Sequence, residues 1–186
     1  GFSHRIGESP SYPITSRIGG VFGLGLAVAP WSRAAFALGW EHSAVGSEHG
    51  AGDLADVDVT RTLDVIWASV RLYIVRTDRV GLFAEVGPGL AIQHADADVL
   101  IYPDVGMAPS ASRCSASAGP GLGLRAKLGV EARVGGPIWL SLDSVFDHVQ
   151  TSSAPLGDCV PGAGSLALIG VRLGITYRRD VSRWLR

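Results

Sequence analysis

Long hydrophobic runs are missing from this chain of 186 residues. No stretch of about 18 apolar residues occurs, which excludes a spanning helix. The longest apolar stretch, Gly19 to Trp31, is broken by glycines and a proline. Charge is sparse, the net charge is −1, and basic residues alternate with acidic ones instead of clustering. A nucleic-acid partner therefore has no electrostatic basis. Cysteine is nearly absent, with only Cys114 and Cys159. Both fall in polar, turn-rich segments, so one disulfide in an oxidising compartment is expected. No signal peptide stands at Gly1, so an exported chain is expected to have been processed or truncated already.

Glycine, by contrast, is plentiful at 25 residues, and its placement is patterned. Between Gly121 and Val134 one alternate set is Leu122, Leu124, Ala126, Leu128, Val130, Ala132 and Val134. The other is Gly121, Gly123, Arg125, Lys127, Gly129, Glu131 and Arg133. A period of two sustained this far is a strand longer than usual. After Gly135-Gly136-Pro137 the pattern restarts, with Ile138, Leu140, Leu142 and Phe146 on one face and Trp139, Ser141, Asp143 and Asp147 on the other. Aliphatic residues on one side, with glycine and both charge signs on the other, suit a membrane barrel with a packed polar interior. A charge facing lipid at mid-membrane costs roughly 2–4 kcal/mol, so the charged set points inward.

The same alternation recurs along the chain. Residues 1–14 lack it and read as a loop or a short strand. Strands are expected over Ser16–Ala29, Ala34–Val45, Thr60–Val75 and Val80–Asp96, then across the two segments above, and finally over Ser165–Arg178. In the third, Ile66, Ala68, Val70, Leu72 and Ile74 face out so that Arg71 points in, which leaves Asp64 at the rim; a bulge near Trp67 would permit the other phase. Pro88 needs a bulge or an unpaired position. Short turns near residues 31, 77 and 136 alternate with long loops at 46–59, 97–117 and 151–163, as in barrels with short inner turns and long outer loops. The two cysteines then share the long-loop side. Trp31, Trp139 and Tyr177 share the short-turn end, as an aromatic girdle requires. Seven strands are clear, whereas barrels of this kind have an even number. The eighth is short and hidden in residues 1–14, or lies upstream of Gly1, or comes from another chain; the upstream source is preferred.

The glycine-rich segments RIGGVFGLGLAV, VGLFAEVGPGLAI and GLGLRAKLGVEARV resemble those of the small outer-membrane β-barrel family, the OmpA/OmpX-like eight-stranded barrels of Gram-negative bacteria. Arg172-Leu173-Gly174-Ile175-Thr176-Tyr177 resembles the terminal assembly signal of such barrels. It departs from it at Arg179, where an apolar residue is expected, and in the residues that follow Tyr177. The resemblance covers about residues 15–178. It implies an all-β, antiparallel, up-and-down transmembrane barrel forming one domain over residues 1–186, with 179–186 a periplasmic tail. It also implies integral placement in the bacterial outer membrane among its lipids and lipopolysaccharide. Family members include structural tethers, adhesion or defence proteins and a few lipid-modifying enzymes.

Interior charges are expected at Arg17, Glu41, Glu85, Arg125, Lys127, Glu131, Arg133, Asp143, Asp147 and Arg172. In so narrow a barrel they form a salt-bridge plug more readily than an ion path. Candidates for acyl-transfer chemistry are His42, Ser43, His94, Ser144 and His148, but no Ser-His-acid spacing stands out. His42, His49, Asp53, Asp56 and Asp58 match no metal-site spacing. The expectation is a non-enzymatic scaffold or anchor without cofactor or metal. It would meet a protein partner through external loops, chiefly 99–109 with Ile101, Tyr102 and Met107, or as a subunit of a membrane complex. The alternatives are a deacylase-like lipid-modifying enzyme, a narrow pore, or a soluble barrel holding an apolar ligand.

Overall fold

The computed structural model describes residues 1–6, 13–52, 55–102, 108–156 and 160–177. Its strands are β1 (Phe2–Ile6), β2 (Ile14–Ser16), β3 (Ile18–Trp31), β4 (Ala34–Ala51), β5 (Ala55–Arg76), β6 (Val80–Ile101), β7 (Ser110–Gly135), β8 (Ile138–Gln150), β9 (Pro155–Leu156), β10 (Val160–Pro161) and β11 (Ser165–Tyr177). Pairing runs β1-β3-β4-β5-β6-β7-β8-β11 and returns from β11 to β1, every neighbour antiparallel. The fold is a closed eight-stranded up-and-down barrel. No helix among the described residues is long and apolar enough to cross a membrane.

The eighth strand is Phe2–Ile6, inside the segment expected as a loop or a short strand, which corrects the preference for an upstream source. It escapes pattern reading because five residues carry little alternation, yet Ser3 and Arg5 face in while Phe2 and Ile6 face out. β1 meets β11 from Phe2–Val171 to Ile6–Ala167, and β3 from Phe2–Gly20 to His4–Ile18. The Gly1 ammonium donates to the Val21 carbonyl, and the Val21 amide to Gly1. Below that level, toward the short turns, no described strand lies between β3 and β11. Phe22 to Trp31 are exposed on both faces.

Alternation decides the two sides of the wall. Leu24, Leu26, Leu38, Leu72, Leu90, Leu122, Leu124, Leu128 and Leu173 are exposed outward. Trp67, Phe83, Val145, Leu166 and Leu168 are buried inward. The phase expected for β5 holds, with Arg71 half-buried inside and no register shift at Trp67. Pro88 sits where the β5–β6 ladder skips Ala68 and Ser69 without changing register, so its missing N–H leaves an unpaired position instead of a bulge. Inward glycines make room for aromatics. A Cβ on Gly89 or Gly123 would stand 2.5 Å or 2.8 Å from the Trp67 ring, and one on Gly129 2.5 Å from Phe83.

β4 to β7 run farther than expected, because two segments read as long loops are largely strand. The hairpin β9–β10 folds over the long-loop end. Leu156 and Val160 are buried against Val59, Ala95 and Ala97 beside Cys114, Ala116 and Ala118. Two bulges govern this upper region. Gly46, at φ 116°, shifts β4 against β5, so that Val45 and Glu48 both point in. A shift between the Ala91–Gly121 and Gln93–Ala118 pairs does the same to β7 around Gly119 and Pro120.

Candidate functional site

Two polar assemblies are built on this wall, one inside and one outside. Inside, Arg125 on β7 binds Asp147 through two hydrogen bonds of 2.7 Å and 2.8 Å and reaches Glu41 on β4 with both terminal nitrogens. Arg172 bridges the same two carboxylates at 2.7 Å and 3.0 Å. Lys127 stands between Glu85 at 3.6 Å and Glu41 at 3.9 Å. Glu85 also accepts from Ser69 at 2.8 Å and Arg71 at 2.9 Å, and Arg71 reaches Glu131 at 3.5 Å. Arg125 lies over Trp67 and Arg71 over Phe83, each 4.0 Å from the ring centre. Asp143 is buried beside this set, and its Oδ2 has no hydrogen-bond partner. A second knot lies above. Glu48 accepts from Arg5 at 2.8 Å and from Arg61 at 3.0 Å and 3.1 Å, all three fully buried, and Arg61 donates to the Pro161 carbonyl of the capping hairpin.

Of the expected interior charges, Glu41, Glu85, Arg125, Lys127, Glu131, Asp143, Asp147 and Arg172 face in. Two are corrected. Arg17 is exposed on the link from β2 to β3, and exposed Arg133 donates to the Gly136 carbonyl at 2.6 Å, holding the turn. Trp139 leaves the girdle: it belongs to the inward set of β8 and is 9% exposed, while Trp31 and Tyr177 are exposed as expected. Arg5, Glu48 and Arg61 were not expected. Glu48 and Arg61 lie in a segment read as loop or strand end, and only the bulge at Gly46 turns Glu48 inward.

Outside, four strands bring side chains together where the apolar wall gives way to polar residues. Asp64 on β5 follows Ile66, His94 on β6 follows Ile92, and Ser117 on β7 lies beyond Leu122. Asp64 Oδ1 accepts from Trp40 Nε1 and pairs with His42 Nδ1, each at 3.1 Å. Its Oδ2 lies 3.2 Å from His94 Nε2, and His94 Nδ1 lies 2.7 Å from Ser117 Oγ. A surface pocket of about 400 Å³ is lined by these two histidines with Thr62, Asp96, Ser115 and Ser117. Phe22 packs against Trp40 and His42 below it. Asp64 at the rim and His94 were legible. Ser117 was not, being placed in a loop whose strand and phase depend on the bulge at Gly119-Pro120.

The remaining candidates scatter. Ser43 is buried inside; Ser144 lies on the outer face of β8, and His148 Nε2 stands 3.5 Å from Ser165 Oγ. His49 pairs with Asp58 at 2.8 Å, and Asp56 accepts from Tyr102, whose hydroxyl is pushed up by that bond. Arg113 grips Asp98 with bonds of 2.6 Å and 3.0 Å and holds its carboxyl below the usual range. Asp53, Met107, Cys159 and the tail 179–186 lie outside the described residues. Among the described residues no three ligands gather for a metal ion, and no cysteine is free.

No family model and no curated protein matches the chain. Among solved structures it is similar to the crystal structure of Ail, the attachment invasion locus protein of Yersinia pestis. The identity is 16% and the TM-score 0.48, over 96% of this chain and 94% of that chain.

Proposed function

We propose that this chain is an integral barrel of a bacterial outer membrane. It acts as a non-conducting scaffold or anchor that presents its outer wall and long-loop end to partners. The observation that carries this is the reversal of sides: leucines and valines cover the outside, while paired arginines and carboxylates fill the inside. Only a lipid surround makes that arrangement favourable, since a wet exterior would leave the apolar band unburied. The interior conducts nothing, because guanidinium, carboxylate and aromatic groups fill the cross-section and β9–β10 caps one end.

Lipids and lipopolysaccharide surround the band. A protein partner meets the loop after β6, where Ile101 and Tyr102 are partly exposed; removing residues 102–109 is expected to abolish any such complex, and an unchanged complex sinks that part. Cys114 and Cys159 form a disulfide, since Cys114 packs on the cluster that holds Leu156 and Val160, which in sequence stand three residues before Cys159 and directly after it. Alkylation of the unreduced protein then modifies neither; two additions would refute the bridge. The barrel itself is tested by mobility on SDS gels after detergent extraction. A shift between unboiled and boiled samples is expected. A protein soluble without detergent and showing no shift would overturn the membrane reading.

A further inference from the structure

Glu41, Glu85, Arg125 and Asp147 of the interior each have several partners in the plug, whereas the outer cluster does nothing for the barrel that a few exposed polar residues could not do. Its order is specific. A carboxylate, an imidazole and a hydroxyl stand in series, Asp64 Oδ2 to His94 Nε2 at 3.2 Å and His94 Nδ1 to Ser117 Oγ at 2.7 Å. They come from three adjacent strands that pair directly, Asp64 opposite Ile92 and His94 opposite Ser117, so the ladder itself fixes the spacing. Asp64 accepts the Nε2 proton, which leaves Nδ1 as the acceptor facing the serine hydroxyl. Trp40 and His42 hold the carboxylate from the fourth strand. A pocket opens at the hydroxyl, and the Thr62 hydroxyl lines it as a donor available to a carbonyl oxygen.

We infer that Ser117, His94 and Asp64 form a hydrolytic site for acyl esters of membrane amphiphiles. Ser117 is the nucleophile, His94 the proton carrier and Asp64 the positioning residue. The ester class follows from where the site lies. The wall below it is the apolar surface of Ile66, Leu90, Ile92 and Leu122, and the wall above it is polar. An acyl chain lying along the band brings its ester carbonyl to the level of Ser117, where head groups meet water.

The steps balance with water alone. Ser117 Oγ attacks the carbonyl carbon while its proton passes to His94 Nδ1. The tetrahedral adduct collapses, the ester C–O bond breaks, and the departing alcohol takes that proton. Water then attacks the acyl-serine, giving its proton to His94. The fatty acid leaves, and the same proton returns to Ser117 Oγ. This goes beyond the scaffold reading, and the heat shift on SDS gels tests that reading separately.

The experiment uses the full chain in detergent with a fluorophosphonate probe read by intact mass and peptide mapping. It continues with vesicles of phosphatidylethanolamine and phosphatidylglycerol, with or without lipid A, from which free fatty acid is measured. Expected are one probe adduct on Ser117 and release of fatty acid in at least one vesicle type; which type distinguishes phospholipid from lipid A as the source. Ser117→Ala removes the adduct, and Ser117→Ala or His94→Ala lowers release at least 100-fold. Asp64→Asn lowers kcat at least 10-fold with little change in KM, and Asp64→Glu recovers part of it. His148→Ala changes neither reading. Absence of adduct and release in heat-shifting wild-type protein, or equal release from Ser117→Ala, overturns the inference.

Discussion

The two polar assemblies differ in burial, and burial decides what each can be. Arg125, Glu85 and Asp147 are almost wholly removed from water, so each charge is held by several partners. Asp64, His42 and His94 remain a quarter to two-fifths exposed and are linked in a chain with an open end. In the first, breaking any link strands a partner in a place that cannot solvate it. In the second, water can take over whatever a substitution releases. The inner set therefore serves stability and the outer set is free to do chemistry.

That contrast breaks first at Glu48. Replacing it by alanine leaves Arg5 and Arg61 buried without their carboxylate, which is expected to cost about 3–5 kcal/mol. Denaturant unfolding in micelles, followed by tryptophan fluorescence, measures it; a loss no larger than for an exposed pair would erase the distinction. Next comes the wall between the two sets. Leu128→Arg puts a charge in the middle of the outer band and should cost about 2–4 kcal/mol in lipid. If it costs nothing in vesicles, the band does not face lipid. Gly46→Ala is expected to cost about 1–2 kcal/mol, from the left-handed backbone and from the Ser16 carbonyl 2.1 Å from the added Cβ. Its test is whether the Glu48 knot loosens with it, read as faster amide exchange around Arg61. Asp64→Asn should change stability by about 1 kcal/mol or less, as exposed pairs do, while abolishing most turnover.

The smallest effect belongs to Asp98 and Arg113, fully exposed on the upper strands. Arg113→Ala should leave the unfolding midpoint unmoved at neutral pH. Because Arg113 holds the Asp98 carboxyl below its usual range, whatever the pair contributes is present above the ordinary carboxylate value and disappears as pH falls through the lowered one. Carboxyl NMR should show Asp98 titrating at higher pH once Arg113 is gone.

Much of the barrel was legible because period-two alternation is insensitive to context where strands are regular. Glu41, Arg125, Lys127, Asp147 and Arg172 could be placed inside from their neighbours alone. The reading stopped where the period slips. Glu48 carries the wrong parity until Gly46 adds a residue to β4, and Ser117 carries the wrong parity until Gly119-Pro120 does so in β7. Both bulges lie at the level where the band ends, so the upper knot and the outer chain were hidden by the same device. Arg133 shows the opposite failure, since it keeps the inward parity but stands beyond the packed interior, where a turn carbonyl claims it. β1 was obscured by length, because five residues hold too few alternations to recognise. Its partners, Gly19 and Gly170, say more. A Cβ on either would meet backbone 1.8 Å or 2.4 Å away, from Ala44 and from Phe2 respectively.

The brevity of β1 also sets how the hoop yields under load. Around most of the circumference, force is shared by long ladders such as β5–β6 and β6–β7. At one stave it passes through the five pairs that Phe2 to Ile6 make with β11 and the three that β1 makes with β3. A pulling experiment should see the ring open there first, peeling β1 before any other strand gives way.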